Sequence, residues 1–138
     1  MAGDGGDVVD LSSTTLVVNN GVTIAGGLGD DILWGNIHAD VISGSDGNDI
    51  LDGGPGNDIL QGENDFDIVF GGDGDDSLDG GNGDDFLSGD AGSDTYVFFG
   101  ANFGNDTIVE AASAELNTIE FQNSLTQGDL SFSFSGDD

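Results

Sequence analysis

From Gly26 to Val97 the chain repeats a nine-residue phrase eight times without a break in phase. The phrase is clearest in GGPGNDILQ, Gly53 to Gln61, and GGDGDDSLD, Gly71 to Asp79, and it reduces to GGxGxDxUx with U a large apolar residue. Position one is Gly in every copy. Position six is always Asp: Asp31, Asp40, Asp49, Asp58, Asp67, Asp76, Asp85 and Asp94. Position eight is always apolar: Leu33, Ile42, Leu51, Leu60, Val69, Leu78, Leu87 and Tyr96. A unit this short, with a glycine turn and one apolar side chain, buries nothing alone. Burial comes only from stacking on its neighbours, so the pattern predicts a solenoid.

The charge balance constrains what such a solenoid can meet. The 138 residues leave room for one domain, with 28 acidic residues, no Lys or Arg, and a formal net charge of −28. Nothing could neutralise phosphate, which excludes nucleic acid and disfavours anionic membrane surfaces. Strong acidity with 26 glycines also describes a disordered, solvating chain. The regular apolar positions oppose that reading, provided something cancels the charge. Cysteine is absent, so neither a disulfide framework nor a thiolate metal site is available, and a small domain needs another staple. The start, Met1-Ala2-Gly3-Asp4, lacks the basic and apolar regions of a signal peptide, and no run approaches membrane-spanning length.

Three segments follow from the pattern: an N-terminal flank at 1–25, the repeats at 26–97 and a C-terminal flank at 98–138. Residues 2 to 10 read as a degraded ninth copy, with Asp7 at position six and Val9 at position eight. Within the interruption that follows, Leu16-Val17-Val18 and Val22-Thr23-Ile24 flank Asn19-Asn20-Gly21, which predicts two short strands about a tight turn that either extend the solenoid or cap its N-terminal end. After Val97 the phrase breaks and partly resumes as Gly104-Asn105-Asp106-Thr107-Ile108, displaced by three residues. Asn117 to Phe121 and Asp129 to Phe134 are expected to be further strands. The aromatic group Tyr96, Phe98, Phe99 and Phe103 suits a cap over the open end of the stack. The ending Gly136-Asp137-Asp138 contains no recognisable terminal element, and the expectation is a fragment of a larger protein.

The eight in-phase copies resemble the calcium-binding nonapeptide repeats of RTX (repeats-in-toxin) proteins, which likewise follow their repeats with an aromatic DTYVF-like phrase. The resemblance implies an all-β fold, a right-handed parallel β-roll in which six residues form a turn, three form a strand, and two repeats make one coil. Residues eighteen apart then stack, dividing the Asp ladder into two columns: Asp31, Asp49, Asp67, Asp85 and Asp40, Asp58, Asp76, Asp94. Carboxylates stacked at about 4.8 Å would repel by roughly 3 kcal/mol at an effective dielectric near 20. A hard dication between turns reverses this. Oxygen-only, flexible coordination favours calcium over zinc, copper or magnesium. Each ion is expected to take the position-six Asp of one repeat, the Asp eighteen later, and turn carbonyls, among them those of Gly29, Gly47, Gly56, Gly74, Gly83 and Gly92. The pairs 31/49, 49/67, 67/85, 40/58, 58/76 and 76/94 make six sites, and 85/106, using Asp106, a seventh. Position four, where the turn is expected to need positive φ, is occupied by His38 and Asp65 in the second and fifth copies, and Phe66 replaces a polar residue at position five. Sites using Asp40 or Asp67 therefore depart most from the pattern.

The resemblance implies a calcium-folded, extracellular structural module, monomeric by itself, attached to a larger polypeptide that is exported unfolded. The alternative is a glycan- or surface-binding module. No enzyme site is visible: the chain has no Lys, Arg, Cys or GxSxG phrase, and its only His, His38, has no local partner set. An EF-hand reading of Asp75-x-Ser77-x-Asp79-Gly80 fails because its twelfth position is Phe86. On the outward side, odd-numbered copies place Ile32, Ile50, Ile68, Phe86, Trp34 and Phe70 on one sheet. The even copies offer the more polar set Val41, Ile59, Ser77, Thr95, Ser43, Gln61, Asp79 and Val97. The odd face is thus expected to be covered by the flanks or by the parent protein, or to present Trp34 and Phe70 to a neutral glycan.

Overall fold

Because the period is nine and two repeats complete a coil, successive repeats alternate between two sheets. The computed structural model describes residues 2–12, 20–99, 103–110 and 116–122. The strands among them are β1 Gly3–Asp4, β2 Val8–Asp10, β3 Thr23–Leu28, β4 Ile32–Trp34, β5 Val41–Asp46, β6 Ile50–Pro55, β7 Ile59–Asn64, β8 Ile68–Asp73, β9 Ser77–Asn82, β10 Phe86–Ala91, β11 Thr95–Phe99, β12 Thr107–Val109 and β13 Thr118–Gln122. One sheet runs β1-β3-β5-β7-β9-β11-β13 and the other β12-β10-β8-β6-β4-β2. Neighbours are parallel and in the eighteen-residue register, as in Ile50↔Ile68, Leu51↔Val69 and Gly54↔Gly72. This is the all-β parallel β-roll that the repeat implies.

Alternation along each strand points position eight inward. Leu33, Ile42, Leu51, Leu60, Val69, Leu78 and Leu87 are all 0% exposed and form one continuous apolar column between the sheets. Fully burying each such side chain contributes roughly 1.5–3 kcal/mol. Val9, Leu11 and Val22 pack against the N-terminal end of this column, and Ile108, Phe103 and Phe121 against the C-terminal end. Phe98 stacks on Phe121 with centroids 5.3 Å apart and meets Phe103 edge-on at 5.5 Å. Of the four aromatics expected to cap the stack, Phe98 and Phe103 pack together with Phe121 at this end. Tyr96 continues the core column, and Phe99 is 58% exposed.

Strand length and turn conformation differ from the sequence-based expectation. Most repeat strands are six residues long, because pairing continues past position nine into positions one to three of the next copy, leaving a turn of only three. Thr23 and Ile24 open β3, which pairs parallel with β5 and so extends the solenoid, while Leu16 to Val18 and Asn19 lie outside the described residues. The expected strand at 129–134 also lies outside them. Position two, rather than position four alone, demands the left-handed region. It has positive φ at Gly27, Ser45, Gly54, Glu63, Gly72, Gly81 and Asp90. Asp65 at position four does adopt φ 77°, whereas His38 has no positive φ. The degraded first copy does join the roll, with Val9 in register with Leu33. On the outer face of the odd sheet Trp34 and Phe70 are both half-buried, and the Phe70 and Phe86 rings lie 6.1 Å apart.

Candidate metal centre

Each position-six Asp lies at the point where a turn enters a strand, and its two oxygens have separate environments. Oδ1 accepts the backbone N–H of the Asp one coil below. In one column these bonds run Asp31 to Asp49 (2.7 Å), Asp49 to Asp67 (2.8 Å) and Asp67 to Asp85 (2.9 Å). In the other they run Asp40 to Asp58 (2.7 Å), Asp58 to Asp76 (2.7 Å) and Asp76 to Asp94 (2.9 Å). The ladder extends beyond the repeats. The Asp7 amide donates to Asp31, the Val22 amide to Asp40, the Asp85 amide to Asp106 and the Asp94 amide to Asn117. The expected columns thus exist, and Asp106 takes the top of one of them. A second ladder runs in the opposite sense at position five, where Oδ1 of Asp30, Asn48, Asn57, Asp75 and Asp84 accepts the amide one coil above.

The other oxygen is left over. Oδ2 of Asp31, Asp49, Asp58, Asp67, Asp76, Asp85 and Asp106 is buried with no hydrogen-bond donor. Burial without a partner disfavours the ionised form. It pushes the carboxyl of Asp58 up to about 6, Asp76 and Asp106 to about 7 and Asp67 to about 8. The stacked carboxylates add to the effect, and Asp49 and Asp85 are raised for the same first reason.

Oδ2 of Asp31, Asp58, Asp67 and Asp76 each faces the position-one glycine of its own turn and a carbonyl of the coil above. A Cβ built on Gly53 would lie 2.4 Å from Asp58 Oδ2 and 2.7 Å from the Gly71 carbonyl oxygen. At Gly62 the same oxygens are Asp67 Oδ2 and the Gly80 carbonyl, at 2.3 and 2.5 Å, and at Gly71 they are Asp76 Oδ2 and the Gly89 carbonyl, at 2.4 and 2.8 Å. Position-four carbonyls also project upward: that of Gly56 would meet a Cβ on Gly74, that of Gly74 one on Gly92, and that of Gly29 one on Gly47. Carbonyl oxygens therefore converge on carboxylate oxygens that have no donor, in a chain that has no Lys or Arg to supply one. Among the described residues no three acidic or imidazole side chains converge on one point. Any cation held here takes one or two carboxylates together with main-chain carbonyls, the hard oxygen set that suits calcium.

The position-one carbonyls were missing from the sequence-based ligand set, although Gly at position one in all eight copies was their signal, since any Cβ there would fill the cradle. Asp40 stands apart from its column. Its Oδ2 accepts the Asn36 amide at 2.6 Å.

No curated protein matches the chain. The family model described as the RTX calcium-binding nonapeptide repeat matches residues 23–51, 34–69 and 61–96, together more than half of the chain and the segment that carries both Asp columns. With the repeat, the two-sheet roll and the family match in agreement, the chain belongs to the RTX calcium-binding nonapeptide repeat family.

Proposed function

We propose that this calcium-binding repeat module is folded by calcium outside the cell and serves a larger secreted polypeptide as a folding nucleus, stabiliser or spacer. The observation that carries this reading is the row of buried Asp Oδ2 atoms without donors, of which those of Asp31, Asp58, Asp67 and Asp76 face a carbonyl of the next coil. Bound in these cradles, calcium supplies the positive charge that this chain lacks. The sites proposed on this basis are 31/49, 49/67, 67/85, 58/76, 76/94 and 85/106, with 40/58 treated below. Within each pair, the upper Asp uses Oδ1 to hold the lower Asp amide, which orients its carboxylate and leaves Oδ2 of the lower Asp for the ion. Position-one glycines keep the cradle clear, and the position-one and position-four carbonyls supply the remaining oxygens.

A ligand that binds only the folded roll stabilises it by RT ln(1 + [L]/Kd) at each site, so several sites in series make a switch between low-calcium and high-calcium surroundings. The alternative, a glycan-contacting face at Trp34 and Phe70, finds both rings half-buried, and no observation favours it. Circular dichroism of the chain in EDTA and then in excess calcium tests the main reading. A disordered spectrum that becomes β-rich with calcium is expected, and a β-rich spectrum that persists in EDTA at neutral pH would overturn it.

A further inference from the structure

The second turn of the roll, Gly35 to Asp40, is built differently from its neighbours. At position two, seven copies have positive φ, but Asn36 does not. Asn36 is only 6% exposed and folds back onto the carboxylate of its own turn. Its amide donates to Asp40 Oδ2 at 2.6 Å and its Nδ2 to Asp40 Oδ1 at 3.1 Å, while Val22 donates to Oδ1 at 2.7 Å. Asn36 Oδ1 in turn accepts the His38 amide at 2.9 Å, closing the turn on both sides. The oxygen framework of the cradle persists, since a Cβ on Gly35 would lie 2.4 Å from both Asp40 Oδ2 and the Gly53 carbonyl. What differs is that Oδ2 already has its donor.

We infer that Asn36 replaces a calcium ion in the second turn, so that the 40/58 position is a metal-free, hydrogen-bonded rung in an otherwise calcium-bound ladder. This rests on the calcium reading above. Two neutral N–H groups held four residues away in sequence satisfy Asp40, and charge-assisted hydrogen bonds of this kind are among the stronger ones available to a carboxylate. A cation entering there would have to displace the Asn36 amide and leave it buried without an acceptor, which is costly. The consequence is a coil near the N-terminal end whose second turn closes without calcium.

Native mass spectrometry at saturating calcium, on the wild-type chain and on the double variant Asn36→Gly/His38→Gly, tests this. The variant restores glycine at positions two and four, and it is expected to hold one more calcium ion than the wild type. Equal, non-zero counts would overturn the inference and leave the calcium reading standing. A count of zero in both would overturn the two together. Should the variant fold poorly, hydrogen exchange on the calcium-loaded wild type decides the matter: the Asn36 amide is expected to be strongly protected, and exchange at the rate of an open chain would overturn the inference.

Discussion

At the scale of single residues, nearly every position in the nonapeptide has one physical task, and a substitution tests each task separately. Position-one glycine keeps the space between a carboxylate and the next coil open. Gly71→Ala would place a Cβ 2.4 Å from Asp76 Oδ2 and 2.8 Å from the Gly89 carbonyl. The expected outcome is one fewer bound calcium by native mass spectrometry and a lower melting temperature in calcium. An unchanged ion count would show that the cradle lies elsewhere. Position five supplies the acceptor of the second ladder, and Phe66 breaks it: Phe66 is 44% exposed and offers no acceptor to the Asp84 amide above. Phe66→Asn should therefore stabilise the calcium-loaded roll by about 1 kcal/mol, the net worth of one hydrogen bond, read as a rise in thermal midpoint.

At the scale of strands and turns, the repeat made the register legible and left the strand length hidden. Stacking eighteen apart, the inward column from Leu33 to Tyr96 and the division of Asp31 from Asp40 all follow from a nine-residue phase that never slips. Position two was obscured because Ser45, Glu63 and Asp90 occupy a left-handed site that residue type alone does not advertise. The closure of Asn36 on Asp40 was hidden for a related reason: it depends on one backbone dihedral choice, whereas the residue signal was confined to His38. Tyr96 was legible as apolar, but its hydroxyl was not. At the end of the core column it accepts the Gly89 amide at 2.7 Å and donates to Glu110, tying β11 to the segment that follows β12. Tyr96→Phe retains the ring and removes both of these hydrogen bonds. A loss of about 1–3 kcal/mol is expected in calcium, measured by chemical denaturation, with an unchanged midpoint counting against the tie.

For the molecule as a whole, the raised carboxyls make protons and calcium rivals for the same oxygens. In the calcium-free roll Asp58, Asp76, Asp106 and Asp67 titrate near 6, 7, 7 and 8 because burial disfavours their ionised form. In the unfolded chain they return to the ordinary value near 3.9. A carboxyl raised on folding favours the folded state when protonated, so its contribution is fully present below about 4 and is lost as pH rises through the folded values, between about 6 and 8. The net charge of −28 at pH 7 acts in the same direction. In EDTA the chain should therefore be disordered at pH 8 and gain β structure as the pH is lowered to 5, still above its sequence pI near 4.1 where precipitation threatens. With calcium the order reverses, because ligation needs the ionised carboxylates: the midpoint calcium concentration for folding should rise as pH falls from 8 to 5. Far-UV circular dichroism over a grid of pH and free calcium measures both trends. An EDTA-treated chain equally disordered at pH 5 and pH 8, or a calcium midpoint indifferent to pH, would place the ions on carboxylates other than these buried columns.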